Sequence, residues 1–270
     1  MHHCVQLWSR RIASYCAILG ITIVVVGLGA PAVRGGGISG FSNGVGWTGN
    51  NNGTGGPAFT TSTLTLTDGG LSEARSAFFN TAQSIGQFSA EFLYQATQPG
   101  GEGLADGATF TLQTQGLTAL GSSGNGLGVS GITPSAEVEF NVFSNYTIGT
   151  NFATNGATTN YISTGAVNVA SGDPIQVLLS YNGSVLSETL TDLTTSASFS
   201  TSYTTDLASI LGSGTALVGF TGGTGAGTSV QVISNFSFLS VPEPSSLVLL
   251  GVAGAALGTF ELGRRRRRAA

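Results

Sequence analysis

The chain contains no lysine, and its only histidines and cysteines, His2, His3, Cys4 and Cys16, all lie near the N-terminus. The body therefore has no imidazole and no thiol. That excludes a Cys/His zinc site, a disulfide framework, a cysteine nucleophile and a histidine-dependent triad. Charge is scarce as well: nine Arg and thirteen Asp or Glu make up 8% of 270 residues and leave a formal charge of −4. Apart from Arg34 and Arg75, the arginines sit at the two ends, as Arg10, Arg11 and the run Arg264 to Arg268. Two cations build no electropositive surface, which argues against nucleic acid as a partner. What the chain does have is glycine, 42 residues of it, among many Ser, Thr and Asn. Carboxylate, hydroxyl, amide and backbone chemistry is what remains.

Both ends read as addresses. Arg10 and Arg11 precede an apolar run from Ile12 to Leu28 that ends in Ala30-Pro31-Ala32, the three regions of an export signal over residues 1–32. Cleavage is expected after Ala32. The run is also near the lower limit for a membrane span, so an uncleaved N-terminal helix is the alternative. Either places the body outside the cytoplasm. At the other end, Val241-Pro242-Glu243-Pro244 leads into the apolar and small residues Ser245 to Phe260, then five arginines. Positive flanks stay cytoplasmic, and the prolines separate this segment from the body. Residues 241–270 resemble the PEP-CTERM sorting tail of exported bacterial proteins. The resemblance implies a Gram-negative-type bacterium, processing by an exosortase, and a C-terminal transmembrane helix that processing makes transient. The expected location is the cell surface, outer envelope or extracellular matrix. An ordinary single-pass anchor is the alternative.

The body alternates on a period of two. Residues 33–57 are rich in Gly and Asn and form either the start of the domain or a linker or loop. After them, the runs 62–67, 86–94, 108–113, 136–143 and 175–181 are rich in β-branched and aromatic residues and are bounded by Gly, Asn and Asp. Tyr181-Asn182-Gly183-Ser184 between apolar runs signals a hairpin. Only Leu207 to Leu211 offers an apolar helical turn. The pattern predicts an all-β sandwich or jelly roll.

Three runs carry a family resemblance: Leu104-Ala105-Asp106-Gly107-Ala108-Thr109-Phe110, Val138-Glu139-Phe140-Asn141-Val142-Phe143-Ser144-Asn145 and Val218-Gly219-Phe220-Thr221-Gly222-Gly223-Thr224-Gly225. In this order and spacing, over residues 40–240, they resemble the legume-type (L-type) lectin domain with its concanavalin A-like β-sandwich. The resemblance implies a cis peptide at Ala105-Asp106 and an Asp106 carboxylate that accepts from two sugar hydroxyls. A fixed carboxylate suits that task because its hydrogen bonds are charge-assisted. Asn145 matches the Asn that serves both calcium and sugar. Gly124, Asn125 and Gly126 resemble the loop that presents a backbone N–H, and Gly225, Ala226 and Gly227 the loop that sets specificity. The alternative for both loops is a turn chosen for glycine conformations.

The chain departs from the family at the metal site. Glu139, Asn141 and Phe143 lie at alternate positions of an expected strand and share a face; in the family the first two are Glu and Asp, and the third gives a carbonyl to calcium. Thr150 falls where a second bridging Asp is expected, and Asn155 near an expected His. With Glu139, Asn141, Phe143 and Asn145 as a weakened or lost metal set, the expectation is no transition metal and either no cofactor or weakly bound calcium. The same sandwich hosts retaining glycosidases, and Glu137 and Glu139 share a face. The third acidic residue those enzymes carry is Asn here, so no enzyme activity is expected. A solvated polar face is the other reading of that strand. The sequence thus points to an exported protein recognising a neutral glycan or exopolysaccharide. A structural surface or matrix protein with a degenerate lectin fold is the alternative.

Overall fold

The computed structural model describes residues 36–53, 55–98 and 103–241. The expected export signal and membrane tail lie outside the described residues, and among the described ones no helix is long and apolar enough to cross a membrane. The alternating runs form strands: in chain order β1 (Gly37–Ser39), β2 (Trp47–Asn51), β3 (Ala58–Phe59), β4 (Thr63–Asp68), β5 (Ala74–Phe79), β6 (Gln83–Ser84), β7 (Phe88–Thr97) and β8 (Gly107–Gln113). They continue with β9 (Ser135–Asn141), β10 (Gly149–Thr154), β11 (Ile162–Ser163), β12 (Ile175–Tyr181), β13 (Val185–Asp192), β14 (Ser198–Thr204), β15 (Thr215–Gly223) and β16 (Val230–Ser240). The apolar turn is a short helix, α1 (Leu207–Leu211), capped by the Asp206 carboxylate, which accepts from Ser209 N, and closed by Gly212 at φ 64°. A side-chain cap followed by a left-handed glycine is what lets so short a helix start and stop.

Two antiparallel eight-stranded sheets result. The back sheet runs β14-β13-β12-β7-β16-β4-β3, with β1 also paired to β16; the front sheet runs β11-β10-β9-β8-β15-β5-β2, with β6 also paired to β15. β12 and β13 form the hairpin expected at Asn182-Gly183, where Gly183 takes φ 100° and Asn182 Oδ1 accepts from Ser184 N and Val185 N. Between the sheets, inward side chains of alternate residues meet. Phe41, Phe92, Phe110, Phe220 and Phe236 form one aromatic cluster, with centroids of Phe220 and Phe236 5.0 Å apart at 82°. Each such ring withdrawn from water contributes about 1.5–3 kcal/mol.

The Gly/Asn-rich segment is not a linker. β1 pairs with the end of β16 and β2 with β5, and Ile38, Phe41 and Trp47 are buried in the core. Buried apolar side chains fasten this glycine-rich stretch to both sheets.

On the front sheet the outward face is covered too. Residues 114–134 fold back over it, and Ala119, Leu127, Val129 and Ile132 form a second small core with Phe78. Gly128 is needed where this roof meets the sheet: at φ 68°, a Cβ there would stand 2.6 Å from Gly222 O and 2.7 Å from Arg75 O. Under the roof lies a polar row. Thr109 Oγ1 bonds Thr221 Oγ1 at 2.8 Å, and Thr221 donates to Leu127 O at 2.7 Å. β9 is therefore buried along its whole length, which overturns the reading of Glu137 and Glu139 as a solvated face.

Candidate functional site

Asp106 lies at the entrance to β8. Its N–H donates to Gly223 O, its carbonyl accepts from Val142 N, both at 3.0 Å, and the Ala105-Asp106 peptide is cis. These bonds hold the residue between the start of β8, the end of β15 and the loop after β9. The residue is 5% exposed, and its Oδ2 has no hydrogen-bond partner among the described residues. Burial raises the carboxyl to about 6. A buried acceptor without a donor is where a ligand hydroxyl is most strongly rewarded.

Two glycines face that oxygen. A Cβ on Gly225 would stand 3.1 Å from Asp106 Oδ2 and one on Gly124 3.8 Å away. Gly124 begins a single 3₁₀ turn, Gly124–Gly126, closed by Leu127 at φ 50°. Its N–H donates to Thr224 O at 2.8 Å, which ties the two loops together. Ser72 N donates to Gly225 O, and Gly225 N to Gly227 O, while a Cβ on Gly227 would stand 2.9 Å from Ala105 Cβ. Ala226 is exposed at the tip. Of the residues singled out by sequence as sugar ligands, Gly124 and Gly225, on two separate loops, thus meet at Asp106.

Asn145 is exposed on the loop after β9. Its neighbour Tyr146 was not singled out by sequence, yet it shapes the rim. Tyr146 is 43% exposed, its hydroxyl accepts from Asn125 Nδ2 at 3.2 Å, and its ring lies 6.2 Å from Phe143 and 6.4 Å from Tyr161. Burial, then the charges of Glu139, Tyr146 and Asp106, push the Tyr161 phenol up. An aromatic residue in an otherwise polar loop beside Asn145 was the available signal, and Tyr161 had none.

Of the residues expected to hold a metal, Asn141 bonds to the chain itself and Glu139 is buried. β9 ends at Asn141, so Phe143 lies beyond the strand. The cause is local: Asn141 Nδ2 donates to Phe143 O at 3.0 Å and Thr147 O at 2.9 Å, turning the chain away from the ladder. Glu139 is fully buried, with Oε1 unpartnered and Oε2 accepting from Asn151 at 3.4 Å. Burial and the neighbouring Glu137 raise it to about 9. Burial likewise raises Glu137 to about 7, against the bond it accepts from Gly156 N. An amide that donates to two backbone carbonyls does not suit a divalent cation, which takes oxygen ligands. Among the described residues, no three Asp, Glu, His or Cys are grouped to hold one. Glu137 and Glu139 are 1% and 0% exposed.

The comparisons agree with this geometry. The legume lectin domain model matches residues 47–248, and the PEP-CTERM protein-sorting motif matches residues 240–268. No curated protein matches the chain. Among solved structures, the Bauhinia forficata lectin in complex with GalNAc is 18% identical, covers 77% of this chain and 98% of its own, with a TM-score of 0.64. The basic winged bean lectin with Tn-antigen is 18% identical over 77% of this chain and 100% of its own, TM-score 0.65. The metal-free form of Griffonia simplicifolia lectin I-B4 gives 18%, the same coverage and 0.63. With a family model spanning most of its length and a two-sheet sandwich of the same fold, the chain belongs to the legume lectin domain family.

Proposed function

We propose that the protein binds a neutral glycan at Asp106 and performs no chemistry on it. The observation that carries this is the buried, unpartnered Asp106 Oδ2 facing Gly124 and Gly225. Adjacent sugar hydroxyls donate to the carboxylate, the Gly124–Gly126 and Gly225–Gly227 loops offer backbone groups, and Asn145 adds an amide. Phe143 and Tyr146 give the apolar face of a pyranose ring a surface to lie against. With so few cations, an anionic polymer finds no partner here. GalNAc and Tn-antigen, bound by the Bauhinia and winged bean lectins, are the first probes. Residues 1–32 act as a cleaved export signal, 40–240 as the binding domain and 241–270 as the tail for exosortase processing, which displays the domain at the bacterial surface or in its exopolysaccharide matrix.

The test is a neutral-glycan array followed by titration calorimetry, with Asp106→Asn as the comparison. Loss of a hydrogen bond to a charged group costs about 1.5–3 kcal/mol, so the variant should bind roughly 10- to 100-fold more weakly. A folded wild-type protein silent on the array overturns the reading. The near-complete burial of Asp106 favours a second reading, a surface protein that keeps the fold without binding, and the same silence supports it.

A further inference from the structure

The loop that follows β9 is fastened from within. Both protons of the Asn141 amide are used: Nδ2 donates to Phe143 O at 3.0 Å and Thr147 O at 2.9 Å, while Oδ1 accepts from Phe143 N at 3.4 Å. The Phe143 carbonyl, assigned to calcium by the family resemblance, is thus occupied by a neutral donor of the chain itself. The same substitution recurs along the segment. Thr150 Oγ1 lies 2.9 Å from Glu139 O and 2.7 Å from Glu188 Oε1. A hydroxyl carries one proton, which Thr150 shares between Glu139 O and the Glu188 carboxylate. Glu188 is 1% exposed. Asn155 Oδ1 accepts from Thr133 Oγ1 at 2.9 Å and Ser135 N at 3.4 Å, and Asn151 Nδ2 donates to Thr159 O at 2.9 Å. At the outer edge, Asn125 ties Tyr146 to the glycine turn.

We infer that Asn141 is the positioning residue of the binding loop, an amide clamp standing in place of a cation, and that the site works without divalent metal. An NH₂ group supplies two directed donors to two carbonyl oxygens, the job that an ion would otherwise do by charge. Such a clamp is made when the chain folds and ignores ion supply, so a protein of this design keeps its loop set in a calcium-poor medium. Asp in the same position points a charged oxygen at those carbonyls, which repel it unless a cation bridges all three. The clamp stands on its own hydrogen bonds; only its consequence for glycan binding rests on the proposed function.

The test uses the full-length protein, with calcium chloride and chelator as probes and wild type and Asn141→Asp as the pair. For wild type, calorimetric titration with calcium gives no heat, and neither calcium nor chelator moves Tm. For Asn141→Asp, Tm in chelator falls by several degrees and calcium restores it, a cation-specific rescue that a merely structural loss would not show. A wild-type calcium heat, a wild-type Tm that chelator lowers, or a folded Asn141→Asp indifferent to calcium overturns the clamp. Should Asn141→Asp not fold, the wild-type titration decides alone. Wild-type glycan binding should be equal with and without chelator; a wild type that binds no glycan yet passes the calcium tests leaves the clamp standing and removes the proposed function.

Discussion

The two sheets share one core but solve different problems. On the back sheet, one face is buried and the other is wet: Phe88, Ala90, Phe92, Tyr94 and Ala96 of β7 point inward while Ser89 and Glu91 are exposed. On the front sheet, β8 and β9 are buried on both faces, yet their sequences keep the same alternation. The polar half of that alternation, Thr109, Thr111, Glu137 and Glu139, lies under a roof rather than in water. A sheet that carries a site needs loops folded over it, and the groups beneath must satisfy one another or hold protons. The outer face of the back sheet has no such obligation and carries serine and threonine hydroxyls, such as the Thr189–Ser200 pair at 2.9 Å, while its inner face holds Glu188 of β13.

The comparison breaks most severely at the shared core. Phe220→Ala should cost about 3–5 kcal/mol, measured by urea denaturation, because its ring touches Phe41, Phe92, Phe110 and Phe236 from both sheets. Leu127→Ala, in the roof, should cost about 2–5 kcal/mol. Hydrogen exchange should then quicken in residues 114–134 while β12 and β13 keep their protection; uniform loosening would refute a separate roof.

Titration sharpens the contrast further. Burial raises two acids of the front sheet, Glu137 to about 7 and Glu139 to about 9, and one of the back sheet, Glu188, to about 7, from an ordinary 4.5. The native state then holds more protons than the unfolded chain between about pH 4.5 and these values. Stability is therefore greatest at the acid end of that window and falls as pH rises through it. Tm should be higher at pH 5 than at pH 8.5, and Glu139→Gln should flatten the upper part of the slope. Glycan binding should run the opposite way, weakening as pH falls through about 6 where Asp106 takes up its proton, read by calorimetry in matched buffers. The smallest effect belongs to the back sheet, where Ser200→Ala should change stability by less than about 0.5 kcal/mol.

Much of the fold was legible because alternation, turn residues and capping acted locally. The Asn182-Gly183 hairpin and the helix Leu207–Leu211 needed only a few neighbouring residues. The convergence of Asp106, Gly124 and Gly225 was legible only through ordered family motifs, since nothing local says that residues this far apart meet. The roof was not legible. Leu127, Val129 and Ile132 are isolated apolar residues among glycines and serines with no period to announce them, and without the roof Glu137 and Glu139 read as a wet face. The same limit applied to Phe143, because the strand stops where Asn141 bonds forward along the chain rather than across it.

The course of β16 sets how the molecule is held. It begins just past Ser229, whose hydroxyl donates to Ala105 O at 2.6 Å beside Asp106, and ends at Ser240, whose N–H donates to Gly36 O. Eleven residues of strand at about 3.3 Å each separate those points. The first and last described residues therefore leave from one corner, and Asp106 lies near the opposite end of β16, so the two ends of one strand tie the candidate site to the termini of the described chain.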